Sequence, residues 1–156
     1  MSDRSRVLLL ALLVQAGCGH DFEPPDAGER TREAAAAYSP TLFDTITWES
    51  DSVRVLQGNE VYAARCRRCH GSLGEGDGRY ASDRGIAVPS LVEAEWSRAS
   101  MDSVRLRIFA GHESGMPTFG IAGITPREID SSAFYVLSTL RPEVLEGPGG
   151  SEESDR

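Results

Sequence analysis

The chain contains no lysine: all sixteen of its basic residues are arginine. A mechanism that needs a lysine, as a Schiff base or as the cation of a phosphate loop, is excluded. Cysteine is also scarce, with only Cys18, Cys66 and Cys69. Long apolar runs are missing. The run Val7–Val14 has eight residues, far short of the roughly 20 that span a bilayer. Basic residues are outnumbered 16 to 24 by acidic ones, for a formal net charge of -8. That balance argues against nucleic-acid binding, which needs a basic face to neutralise phosphates. No internal repeat is present.

What remains is an ordinary soluble composition, 40% apolar and 26% charged, in 156 residues. That is enough for one domain with some chain left over. The charge is unevenly spread. Residues 1–18 carry +1, residues 19–48 carry -4, residues 49–143 carry -2 and residues 144–156 carry -3. The near-balanced middle fits a folded domain over 49–143 between polar ends.

Arg4 and Arg6 precede the apolar run, and small residues follow it: Ala16, Gly17 and Cys18. A basic start, a short apolar core and small residues read as a secretory signal over residues 1–18. Ala-Gly-Cys resembles the end of a bacterial lipoprotein box, which would make Cys18 an acylated N-terminus. Gln15 departs from the aliphatic residue usual there. Ordinary signal cleavage nearby is the competing reading. Either one places the product outside the cytoplasmic membrane. Residues 19–48 hold Pro24, Pro25, Pro40 and an alanine run. A short helix over Glu29 to Tyr38 would be marginal alone, so this stretch reads as a flexible linker. Residues 144–156 have the composition of a disordered acidic tail.

The chemistry concentrates at Cys66-Arg67-Arg68-Cys69-His70. This is C-x-x-C-H, the attachment pattern of a c-type haem. Two thiols at this spacing reach the two vinyl groups on one haem edge, and the adjacent imidazole sits under the iron. Two other readings compete. Half of a zinc site would need four ligands, and no second cysteine pair exists. A thioredoxin-like dithiol follows a strand in a βαβ unit, and no such pattern precedes Cys66. The cysteine count also closes with haem: two thiols become thioethers and Cys18 is cleaved or acylated.

Upstream, Asp51 to Arg65 has apolar residues at helical spacing, with Gly58 inside. A bare backbone there would let another helix cross closely. Downstream, residues 71–78 hold four glycines, which marks a loop. A further helix is expected from Met101 to Gly111. The last has clear boundaries: Thr125 as N-cap, Pro126 at the first position and Glu128 at the third, a capping box. Ile129, Ala133, Val136, Leu137 and Leu140 then form one apolar stripe, and Pro142 ends it. This helix should cross the one containing Gly58.

The chain resembles a class I monohaem cytochrome c. The resemblance rests on Gly58-x-x-x-Tyr62-x-x-x-Cys66-x-x-Cys69-His70-Gly71, Gly74-x-Gly76-Asp77-Gly78, Val88-Pro89-Ser90-Leu91 and Gly115-Met116-Pro117-x-Phe119. The resemblance implies an all-α cytochrome c-like fold, roughly three to five helices wrapped around one covalently attached haem c. It further implies that His70 is the proximal iron ligand and Met116 the distal one, and that the Pro89 carbonyl orients His70. Thioether sulfur is a suitable sixth ligand that raises the reduction potential, and Pro117 helps fix the backbone beside it. His112 is the rival, and Met101 reads as core packing. Tyr80, Arg84 and Trp96 are candidates for propionate contacts. Arg67 and Arg68 are expected at the surface, as a cationic spot near the haem edge that would favour an acidic partner.

The function expected is therefore electron transfer outside the cytoplasmic membrane, between unidentified donor and acceptor redox proteins. It is carrier work rather than enzyme work, by this chain alone or as the cytochrome subunit of a larger oxidoreductase. A haem peroxidase or ligand sensor is the alternative. It would need a displaceable sixth ligand.

Overall fold

The computed structural model describes residues 23–93 and 99–141. The stretch 1–18 expected to be an export signal, with Cys18, and His20, Trp96, Pro142 and the acidic stretch 144–156 lie outside the described residues. Among the described residues no strand forms, and no helix is long and apolar enough to cross a membrane.

Local chemistry explains most helix boundaries. Helix α1, Ala27–Ala37, starts at Asp26. The Asp26 carboxylate accepts from the Glu29 N–H at 2.8 Å, and Glu29 accepts from the Asp26 N–H at 3.0 Å. Helix α2, Asp51–Val61, is capped by Ser50. It runs without a break through a π turn, Tyr62–Cys66, into α3, Arg67–His70. The helical run therefore enters the Cys66–His70 motif and ends at His70. Helix α4 is Arg79–Ser82, and α5, Met101–Ala110, is capped by Ser100 with Gly111 at its end. Helix α6 is Phe119–Ala122. Helix α7, Pro126–Tyr135, has the expected Thr125–Glu128 capping box and continues into a second π turn, Val136–Leu140.

Helices α2 and α7 cross at Gly58. A Cβ there would stand 2.2 Å from the Ser131 carbonyl oxygen and 2.7 Å from the Tyr135 Cβ. Only glycine lets the backbones approach so closely. One turn on, the Tyr62 and Tyr135 rings meet at 5.5 Å.

Helix α7 and its π turn feed two apolar clusters. Ile129 and Ala133, both fully buried, belong to one with Ala34, Phe43, Val104, Ile108 and Phe109. Tyr135, Val136 and Leu140 belong to the other with Tyr62 and Val92. Burying Ile129 or Leu140 contributes roughly 1.5–3 kcal/mol each.

A buried carboxylate ties the elements together. Asp130 is 1% exposed. It accepts from Trp48 Nε1 at 2.7 Å, from Arg54 Nε and Nη2 at 2.9 and 2.7 Å, and from Arg105 Nε at 3.1 Å and Nη2. Burial alone would raise its pKa. The hydrogen bonds from Arg54, Arg105 and Trp48 overcome that and hold it below the usual carboxylate value.

The stretch expected to be a flexible linker, residues 19–48, is packed in its described part. Ala34 is fully buried and Phe43 is 5% exposed. The Tyr38 hydroxyl donates to Asp102 Oδ1 at 2.5 Å, and its ring meets Phe109 edge-on at 5.5 Å. A helix that is marginal alone becomes stable once its apolar face finds a core.

Candidate functional site

The site begins where the α2–α3 helical run stops. Its last carbonyls lack helical partners, and the glycine loop supplies them. Gly71 N–H donates to the Arg67 carbonyl at 2.8 Å, Gly76 N–H to His70 at 2.9 Å and Gly78 N–H to Cys69 at 3.1 Å. Gly71 turns the chain with φ +82, a region that side chains rarely adopt. The Tyr62 hydroxyl donates to the Gly71 carbonyl at 2.8 Å from within the core. Burial pushes the Tyr62 phenol well above its usual pKa, so it stays a neutral donor. The loop then lies against the segment that carries Pro89. Leu91 N–H donates to the Gly74 carbonyl at 2.7 Å, and a Cβ on Gly76 would meet the Val88 carbonyl oxygen at 2.3 Å.

Cys66, Cys69 and His70 thus share one helical end. Both cysteines are partly buried free thiols, and Cys66 packs against the second cluster. Burial, with Cys69 adding a little, pushes the Cys66 thiol up to about 12. A reactive dithiol needs the opposite shift, so the thioredoxin-like reading finds no support. Nor, among the described residues, does any group of three or more His, Cys, Asp or Glu side chains converge as a metal cluster would require.

His70 Nδ1 is buried and has no hydrogen bond of good geometry. Burial pushes the imidazole pKa down, and the Pro89 carbonyl beside it partly opposes this. The ring is therefore neutral near pH 7, the form that ligates a metal. A ligating histidine donates its outer ring N–H to an acceptor, and a backbone carbonyl beside the ring can serve as one. Two free thiols, a neutral imidazole beside a backbone carbonyl and a return loop with four glycines fit a covalently held haem.

The other candidates lie elsewhere. Met116 is on the turn after α5, where His112 N–H donates to the Met116 carbonyl at 3.0 Å and Gly115 N–H to His112 at 3.0 Å. Met116 packs, half-buried, against the first cluster, as Met101 does. His112 is exposed, and its Nδ1 accepts from the Ser114 N–H at 3.2 Å. Arg67 and Arg68 are exposed, as expected. Arg68 and Arg84 both stack on the Tyr80 ring, at 4.1 and 3.8 Å from its centroid. The sequence reading missed Asp130 and the Tyr62 hydroxyl bond. An aspartate inside the apolar stripe of the last helix was the available signal for the first.

An all-α fold in which one helical run ends on two free thiols and a neutral, half-buried histidine defines a c-type cytochrome domain, the haem c-binding, electron-transferring class. The family model for cytochrome c oxidase, cbb3-type, subunit III matches residues 53–136, more than half of the chain, and the chain belongs to that family. No curated protein and no solved structure matches it.

Proposed function

We propose that this protein is a single-haem electron carrier working outside the cytoplasmic membrane. It takes one electron from a donor redox protein and passes it to an acceptor, in a respiratory chain or as the cytochrome subunit of an oxidase complex. The observation that carries this reading is the juxtaposition of free Cys66 and Cys69 with His70, whose Nδ1 is buried and whose ring lies beside the Pro89 carbonyl. When bound, the haem supplies one-electron redox chemistry that no side chain here can provide.

The residues divide the remaining work. Cys66 and Cys69 hold the haem through thioethers. His70 is the proximal ligand, and the Pro89 carbonyl orients its ring. Met116 is the distal ligand: its side chain is half-buried against the core, whereas the rival His112 is exposed and engages Ser114. A filled sixth position favours the carrier over the peroxidase or sensor. Cys18, when acylated, would anchor the chain to the membrane.

The test is denaturing electrophoresis followed by haem staining, with expression alongside a working haem-attachment system. A stained band at the monomer mass is expected. It should disappear in Cys66→Ala/Cys69→Ala. A colourless parent band would end this reading.

A further inference from the structure

Helix α1 lies outside the matched stretch 53–136, yet it packs beside the turn that carries Met116. Ala34 of α1 is fully buried in the same cluster against which Met116 packs. Arg30 and Thr31 of α1 face His112 and Met116 across one cavity of about 300 Å³. A Cβ on Gly28 would lie 3.3 Å from Glu113 Oε2. At its far end α1 hands over to Tyr38, which binds Asp102 at the start of α5 and packs on Phe109 near its end.

Residues 112–115 are exposed, and three short-range bonds close the turn: the two backbone ones between His112, Gly115 and Met116, and the one from the Ser114 N–H to His112 Nδ1. Exposed segments held by so few bonds open at low cost. Arg30 and Thr31 meet the turn along the rim of the cavity.

We propose that α1 is a brace on the distal loop, so that the hold of Met116 on the iron depends on a segment lying before the family's own domain. This rests on Met116 being the distal ligand. The brace acts by position, through the packing of Ala34 and Tyr38. Anything that pulls α1 away exposes the sixth position to outside ligands.

The experiment compares full-length, haem-loaded ferric proteins titrated with imidazole, which competes with the thioether. The sulfur-to-iron absorption band is followed. Ala34→Asp puts a charge at a fully buried position of α1. Tyr38→Phe removes only the hydroxyl tie. Gly58→Ala destabilises the α2–α7 crossing and leaves the loop untouched. The expected result is about tenfold tighter imidazole binding in Ala34→Asp, a smaller change of the same sign in Tyr38→Phe and no change in Gly58→Ala. Parent-like imidazole affinity in both α1 variants overturns the brace, as does an equal gain in Gly58→Ala. Should Ala34→Asp not fold, Tyr38→Phe decides alone. A parent protein without the sulfur band refutes Met116 as ligand, and the brace falls with it. A parent with the band and unresponsive α1 variants removes the brace only.

Discussion

Replacing Asp130 by asparagine should cost the protein a large part of its stability. The carboxylate side chain is 2% exposed, and its two arginine partners are 16% and 20% exposed. Asparagine keeps the volume but removes the charge and one acceptor. Two guanidinium groups from different helices, α2 and α5, are then left facing each other. Removing one partner of a buried ion pair costs about 3–5 kcal/mol. The arginines keep some contact with water, which favours the lower end. With a urea slope of about 1.5 kcal/mol/M, a loss of about 3 kcal/mol lowers the unfolding midpoint by about 2 M. The measurement is urea titration of the mature protein followed by far-ultraviolet circular dichroism at pH 7.

The pH dependence gives a second reading. The folded carboxyl lies below its unfolded value. Its contribution is therefore fully present above an unfolded pKa of about 3.9 and is lost as pH falls through the folded one. The gap between parent and Asp130→Asn should stay constant from neutrality to about pH 4 and narrow below that. Asp83→Asn is the contrast. It breaks the Arg79–Asp83 pair, whose side chains are 94% and 61% exposed, and should shift the midpoint hardly at all. A midpoint change below about 0.5 M in Asp130→Asn would refute the claim that this carboxylate ties the helices together.

Gly58→Ala should lower the melting temperature by roughly 5 °C, because overpacking at the Ser131 carbonyl outweighs the gain in helix propensity of about 1 kcal/mol. A parent-like melting temperature would mean that the two helices can move apart freely. Tyr62→Phe leaves the Gly71 carbonyl without its buried donor and should cost about 1–3 kcal/mol, read by the same urea titration. Met116→Ala should abolish the sulfur-to-iron band, admit carbon monoxide to the ferrous protein and lower the reduction potential by on the order of 100 mV. Met101→Leu should leave all three unchanged, and the reverse outcome would transfer the ligand role to Met101.

The parts of this fold that were legible in the sequence are those set by neighbouring residues. Haem attachment needs two thiols and an imidazole within five positions, so Cys66–His70 stands out whatever surrounds it. The start of α7 is encoded by Thr125, Pro126 and Glu128 alone. Gly58 announced a helix crossing because glycine inside an amphipathic helix needs a reason. The place of Asp130 beside an apolar stripe was a signal, but its partners were not legible, since Trp48 and Arg54 lie 82 and 76 positions away. Helix α1 was undervalued for a related reason. Ala34 gains its stability from a core that the local sequence does not contain. That the helix entering the Cys66–His70 motif winds as a π turn was not legible, because helical periodicity does not anticipate one.

That π turn constrains how the chain can vary in length. Tyr62–Cys66 holds the equivalent of one residue inserted into an otherwise regular helix. Each residue of an α-helix rotates the next by about 100°. Because the turn absorbs that residue, its five residues carry the chain about as far round as four would in a regular α-helix. Wound as a regular α-helix, the same residues would turn Cys66, Cys69 and His70 together by about a quarter of a circle relative to the Gly58 crossing. A variant that loses one position inside the turn keeps their facing, whereas one that loses a position of α2 between Gly58 and Tyr62 turns all three away from the side on which they now lie. Between Gly58 and the first thioether cysteine, the place of a deletion therefore matters as much as the residue lost.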